Sequence, residues 1–320
     1  MSLNAIRMQA LNNFLLSFPD KRSDQKKGNH LIAMKYHHLN PTSICSLHLI
    51  FLSMRIGNPL IFGILIFLLV LVPSLQCQQT AGDWLDVGTS LAGQGKYNES
   101  LQAFEQAISL DSNSTLAWVS KGAALLSLGR CNDALDAYEE AIRLNPRFAR
   151  AWHYRGKALE CLDRVDEALG AYEEALRLDS GNADAWNDKC NVLNELDRYE
   201  EALEACDEAL WLDPENVDSW QNKGYALAIL GRYNESIEAY EEVIRLDPGL
   251  AESWSNKGNV LAGLGRFDEA MKAYDEALRL DTDMAGVWYN RGLVLKALER
   301  REEADLAFAR AEELKSRESL

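Results

Sequence analysis

Paired acids recur down this chain: Glu139-Glu140, Glu173-Glu174, Asp207-Glu208, Glu241-Glu242 and Asp275-Glu276. Two carboxylates serve glycoside hydrolysis when they face each other across a substrate. Neighbours on a helix instead point about 100° apart, and these pairs return at one fixed spacing, as a solvated helix face does. His153 is the only histidine beyond His48, because His30, His37 and His38 also lie near the start. One histidine supports neither a His-dependent triad nor a two-histidine metal site. Six cysteines (Cys45, Cys77, Cys131, Cys161, Cys190, Cys206) contain no CxxC pair, so their spacing suggests neither zinc nor a redox dithiol. No glycine-rich phosphate loop occurs. These residues predict no catalysis, no metal, no cofactor and no small-molecule substrate.

Charge separates the chain into two parts. Up to Arg55 there are seven Lys/Arg against two acids, whereas the remainder carries 26 against 47, within a net charge of −16. The acidic body repels a phosphate backbone, which argues against nucleic acid as a partner.

Residues 54–77, MRIGNPLIFGILIFLLVLVPSLQC, have the layout of a secretory signal: Arg55, an apolar run from Leu60 to Val72, then Pro73-Ser74. Such a run suits a signal-peptide core better than a full span, which needs about 20 residues. Residues 1–53 form a basic, irregular leader. Either they come from a start placed upstream of Met54, or Met1 is real and residues 60–75 are an uncleaved anchor in the membrane. The positive-inside rule puts the acidic body outside the cytoplasm in both cases, secreted or membrane-anchored. Cys77 follows the apolar run as in lipid attachment, although Gln76 is large for that role.

The strongest pattern is a period. Tryptophan falls every 34 residues at Trp84, Trp118, Trp152, Trp186, Trp220, Trp254 and Trp288. A glycine follows by four, except at Cys190, and small residues recur at Ser100, Ala134, Ala168, Ala202, Ser236, Ala270 and Ala304 and again seven further on. Each unit reads as two helices. The first starts about two residues before the tryptophan and ends at a breaker such as Gly95, Gly129, Gly231 or Gly265. The second opens on Asn98, Asn132, Asp166, Asn234 or Asp268 as N-cap and ends at LNP or LDP. The small positions fall where two antiparallel helices approach most closely. In the last unit Asp305 and Glu312 replace the apolar residues of earlier units, which predicts a polar cap closing the array.

This pattern, W-x2-[KR]-G-x2-L…A-x3-Y-x2-A…DP, closely resembles the tetratricopeptide repeat. The resemblance covers 81–318 and implies an all-α, right-handed α-solenoid of seven helix-turn-helix repeats whose first helices line a concave groove. It also implies a non-catalytic scaffold binding a protein or peptide partner there. The alternatives are a structural envelope component that self-associates and a helper subunit of an envelope enzyme. The first-helix face offers amides and rings to an extended peptide: His153, Tyr154, Lys157, Asn187, Asn191, Asn222, Tyr225, Asn256, Asn259, Tyr289 and Asn290. Relatives that clamp C-terminal carboxylates need basic residues where this chain has Asp184, Asp218 and Glu252, so a cytosolic chaperone adaptor is not expected.

Export makes three Asn-x-Ser/Thr sequences candidate glycosylation sites, at Asn98, Asn113 and Asn234. It also permits disulfides, with Cys190–Cys206 and Cys131–Cys161 as the expected pairs. Trp211 is off the lattice, where other units carry arginine, and is expected to shield neighbouring leucines. Finally, a cation stands three residues after six tryptophans: Lys121, Arg155, Lys189, Lys223, Lys257 and Arg291, with Val87 in the first unit. Only the first unit lacks a preceding second helix. The expectation is therefore a seam, with each cation's stem between repeats and its head on an acid of the unit before.

Overall fold

The computed structural model describes residues 79–318, and the leader, the signal-like stretch and Cys77 lie outside them. Fourteen helices follow as seven antiparallel pairs: α1 (Ala81–Gly93) with α2 (Tyr97–Leu110), α3 (Thr115–Ser127) with α4 (Cys131–Leu144), α5 (Ala149–Glu160) with α6 (Val165–Leu178), and α7 (Ala183–Glu195) with α8 (Tyr199–Leu212). The series continues through α9 (Val217–Ile229) with α10 (Tyr233–Leu246), α11 (Ala251–Gly263) with α12 (Phe267–Leu280), and α13 (Ala285–Ala297) with α14 (Arg301–Glu318). Among the described residues no helix is long and apolar enough to cross a membrane.

The pairs close as tightly as their small residues require. A Cβ on Gly122, Gly258 or Gly224 would stand 2.5, 2.6 or 3.0 Å from the ring of Tyr138, Tyr274 or Tyr240 on the partner helix. Each ring fills the notch left by the missing side chain, and Tyr138, Tyr172 and Tyr274 are fully buried. Burying such a ring is worth roughly 1.5–3 kcal/mol. Each second helix from α2 to α12 also packs on the first helix of the next repeat, and α1·α3, α3·α5, α7·α9 and α11·α13 touch directly. First helices thus form the inner layer, where neighbouring repeats meet.

Helix ends differ from the reading of the sequence in two ways. First helices begin three residues before their tryptophan, on side-chain caps at Thr80, Ser114, Asn182 and Asn216. Second helices begin two residues earlier than expected, so Asn98, Asn132, Asp166, Asn234 and Asp268 are not N-caps but lie inside the first turn. The true cap positions are Lys96, Arg130, Arg164, Arg198, Arg232 and Arg266, without side-chain caps. From Arg130 onward the arginine instead holds the acid three residues on, as in Arg164–Glu167 at 2.7 Å and Arg266–Glu269 at 2.6 Å. That arrangement puts a carboxylate against the positive end of the helix dipole.

The expected breakers are left-handed, with φ of 71–75° at Gly95, Gly129, Gly231 and Gly265. Three repeats place non-glycine residues in the same conformation: Asp163, Asp197 and Glu299, at φ 59°, 58° and 61°. At the other end, each tryptophan from Trp118 onward donates its indole N–H to the carbonyl six residues back, for example to Pro146 and Pro214 at 3.0 and 2.9 Å. The ring therefore ties the inter-repeat turn to its own helix. Asp305 and Glu312 are exposed on α14, while the corresponding Leu135, Leu169 and Leu176 are buried.

Candidate functional site

The cations after the tryptophans form the predicted seam. Lys121 pairs with Glu105 at 3.2 Å, Arg155 with Glu139 at 3.5 Å and Lys189 with Glu173 at 3.5 Å. Lys223–Asp207, Lys257–Glu241 and Arg291–Asp275 follow at 2.6, 2.7 and 3.0 Å. Every acid belongs to the second helix of the preceding repeat. Each head also lies 5.2–5.8 Å from the ring of the tryptophan three residues earlier, a cation–π contact that the spacing alone did not announce. The acids are about half exposed, so each pair contributes only about 0–1 kcal/mol, and the ring adds roughly 0.5–1 kcal/mol. This is stacking machinery rather than a ligand site. The second acid of each pair is claimed locally: Glu140, Glu174, Glu242 and Glu276 bind Arg143, Arg177, Arg245 and Arg279. In the fourth repeat Trp211 stands at that arginine's place and is 78% exposed. It does not shield its leucines, because the arginine position points away from the helix pair.

On the inner layer, the residue two after a tryptophan reaches back to the preceding first helix. Asp188 on α7 accepts from Lys157 of α5 at 2.9 Å and lies 2.7 Å from His153 Nε2. His153 is only 7% exposed and packs against Tyr154 and Tyr172, and Tyr154 stacks on Tyr138. Burial pushes the Asp188 carboxyl up, but the His153 hydrogen bond and the Lys157 charge outweigh it and hold the pKa below the usual range. Glu160 goes the other way. Its burial outweighs the bonds from the Tyr172 hydroxyl and Asn191, so its pKa is raised.

The same geometry recurs with amides further along. Asn187 Oδ1 accepts from Asn222 at 3.2 Å and from Ser219 at 2.9 Å. Asn259 Oδ1 accepts from Asn290 and from the Tyr274 hydroxyl, both at 2.9 Å. Asn191 also donates to Glu195 at 3.1 Å. Thus Asn187, Asn191, Asn222, Asn259 and Asn290 spend polar atoms joining the array to itself. Asn256 is half-buried on α11 and makes none of these bonds. Tyr225 and Tyr289 remain 46% exposed, edge-on to Tyr199 and tilted against Phe308 respectively. Composition alone did not mark Asp188, Glu160, Glu195 and Ser219 as partners. For Asp188 and Ser219 the signal was positional, in the step from one repeat's tryptophan to the helix before it, whereas Glu195 lies four residues on from Asn191 in α7.

Both cysteine pairs are joined in the structure. Cys131–Cys161 links the start of α4 to the end of α5, with Cα atoms 6.0 Å apart. Cys190–Cys206 links α7 to α8 at 5.3 Å. The second bridge replaces a packing pair: Cys190 holds the notch glycine's place and Cys206 the aromatic's place. In repeats three and six that aromatic hydroxyl serves Glu160 and Asn259. In repeat four it is missing, and the buried Asn194 Oδ1 has no partner.

Models of the family described as tetratricopeptide repeat match residues 85–130, 121–183, 183–216, 205–238 and 285–317, and those described as TPR repeat match 224–265 and 258–298. No protein among the curated sequences matches significantly. Among solved structures, YrrB, described as a TPR protein with an unusual peptide-binding site, is 25% identical with a TM-score of 0.53, covering 62% of this chain and 99% of YrrB. A tetratricopeptide repeat protein from Parabacteroides merdae is 17% identical with a TM-score of 0.57, over 74% of this chain and 93% of its own. PilF from Pseudomonas aeruginosa is 23% identical with a TM-score of 0.54, over 60% and 88%. The last two identities speak for the fold alone. With the 34-residue lattice, the seven helix pairs and models spanning 85–317, this chain belongs to the tetratricopeptide repeat family, whose repeats bind peptides or proteins.

Proposed function

We infer that the array is a non-catalytic scaffold that receives an extended segment of another protein along its first-helix layer, outside the cytoplasm. One observation carries the reading: Tyr225 and Tyr289, with Leu293, leave large apolar surface open on the inner layer, while the notches behind them are already filled by Tyr240 and Phe308. Each ring touches the array along one edge, at Tyr199 or Phe308, and keeps nearly half its surface open. Rings with a polar tip suit an interface that is apolar at its centre and hydrogen-bonded at its edge. Asp184, Asp218 and Glu252, exposed at one repeated position, supply acceptors for backbone N–H groups or a cationic side chain. The peptide-binding site in YrrB's description supports the same use of this fold.

Two disulfides support an oxidising compartment, as does the signal-like stretch at 54–77. Affinity purification of the full chain from envelope fractions tests the reading. A stoichiometric heterologous protein, lost when Tyr225 and Tyr289 are both changed to serine but retained in Glu208→Gln, is the expected result. Recovery of only the chain itself, unaffected by the tyrosine changes, would refute it in favour of a self-assembling component.

A further inference from the structure

Three sequences in the array match the acceptor pattern for N-linked glycans, and the structure separates them. Asn98 and Asn234 lie at the second position of 14-residue helices. The corresponding places in the other repeats hold Asn132, Asp166, Glu200, Asp268 and Glu302, so an amide or acid there answers the helix dipole. Their third residues, Ser100 and Ser236, occupy the small-residue position and are fully buried, and Ser236 donates to the Gly224 carbonyl at 2.7 Å. Repeat architecture therefore accounts for both of these matches.

It does not account for Asn113-Ser114-Thr115. Asn113 is exposed in the turn between α2 and α3. Its backbone N–H donates to Asp111 Oδ1 at 3.0 Å, and the same bond recurs under Arg147, Gly181, Glu215, Gly249 and Asp283. Arginine, glutamate, aspartate and, twice, glycine in that place mean the turn asks nothing of the side chain itself. Ser114 is occupied as the helix cap, accepting from Ala117 N–H at 3.3 Å. Thr115 stands where the other repeats carry alanine or valine, and its hydroxyl makes no hydrogen bond among the described residues. Carboxamide and hydroxyl are thus both unassigned by the fold, in a turn held by the Trp118 indole on the Ser112 carbonyl at 3.0 Å.

We propose that Asn113 carries an N-linked glycan and that Asn98 and Asn234 do not. The donor class is a sugar chain on a polyprenyl phosphate or diphosphate carrier. Asn113 Nδ2 forms a bond to the anomeric carbon, and the carbon–oxygen bond to the carrier phosphate breaks. The phosphate leaves with the bonding pair, and the carboxamide proton passes to a carboxylate of the transferase. The Thr115 hydroxyl is the recognition group. The proposal rests on the extracytoplasmic reading above.

The test is glycopeptide mass spectrometry of the full chain from its native source, digested without reduction. The expected result is sugar on the Asn113 peptide of most molecules, abolished in Asn113→Gln and Thr115→Ala and retained in Thr115→Ser, with circular dichroism unchanged. A bare Asn113, or sugar on Asn98 or Asn234, overturns it. The same digest separates the two failures. Linked Cys131–Cys161 and Cys190–Cys206 peptides beside a bare Asn113 reject the glycan alone, whereas free thiols beside it reject the oxidising compartment too.

Discussion

The fourth repeat offers a sharp test of how these helix pairs close, because one covalent bond stands where the other repeats use a ring in a notch. Changing Cys190→Gly together with Cys206→Tyr restores the common pair. Losing a bridge across 16 residues costs about 3 kcal/mol, and glycine inside α7 costs roughly 0.5–1 kcal/mol. Against this, a buried ring contributes roughly 1.5–3 kcal/mol. The introduced hydroxyl also reaches the region where Tyr172 serves Glu160, and there Asn194 Oδ1 awaits a donor in a side chain 6% exposed. Satisfying it adds about 1 kcal/mol. The double variant should therefore unfold in urea within about 1.5 kcal/mol of the oxidised parent. Cys190→Ala with Cys206→Ala forfeits the bridge without the ring and should lose about 3 kcal/mol or more. Cys206→Tyr alone should be worst, because the retained Cys190 side chain occupies ring space, as a Cβ on Gly122 would at 2.5 Å from Tyr138. Measurements belong in a Cys131→Ser/Cys161→Ser background, so that reductant acts on one bridge only. Equal loss in the glycine–tyrosine and double-alanine variants would refute the notch argument.

Other outcomes follow from the same geometry. Glu299→Gly should raise stability by about 1 kcal/mol, since an L-residue pays that much in the left-handed region, and Asp163→Gly by less, because aspartate tolerates that region; an unchanged urea midpoint for Glu299→Gly would contradict it. In a double-mutant cycle, Lys257→Met and Glu241→Gln should show a coupling of about 0.5 kcal/mol that shrinks in 1 M salt, whereas the Trp254 ring contact cancels from the cycle and enters only the Lys257→Met single change. Asp188 has a depressed pKa, so its contribution is full above the ordinary carboxylate range and is lost as pH falls through the depressed value. Asp188→Asn should then be less stable at neutral pH and lose less on acidification, and parallel acid limbs in the two proteins would count against the His153–Lys157 pairing.

Much of this protein is legible without coordinates because it is written seven times. The tryptophan lattice, the small positions and the cations each occupy one place in a 34-residue unit, so a single helix-pair geometry explains all copies. Even the Cys190–Cys206 pair can be read this way, as glycine and aromatic replaced together. Trp211 resisted because it departs from the lattice and no neighbour predicts its exposure. The second-helix caps were misplaced because Asn132 and its later counterparts are good cap residues, yet the arginine two places earlier already closes the turn on its acid.

Sequence by itself determined the number of helices, their pairing and the ionic seam, since those depend on local periodicity and on contacts between equivalent positions. The use of each inner-layer side chain was decided only by tertiary structure. Asn187, Asn259 and Asn290 resemble free recognition groups until neighbouring helices bring Asn222, Tyr274 and one another within 3.2 Å. The bonds between first helices start from one repeated position, two after the tryptophan, but the residue types there and opposite it change from repeat to repeat, so no residue motif announces them. Whether an amide faces a ligand or a neighbour depends on the close approach of two first helices, a property of the stacked array and not of any one repeat.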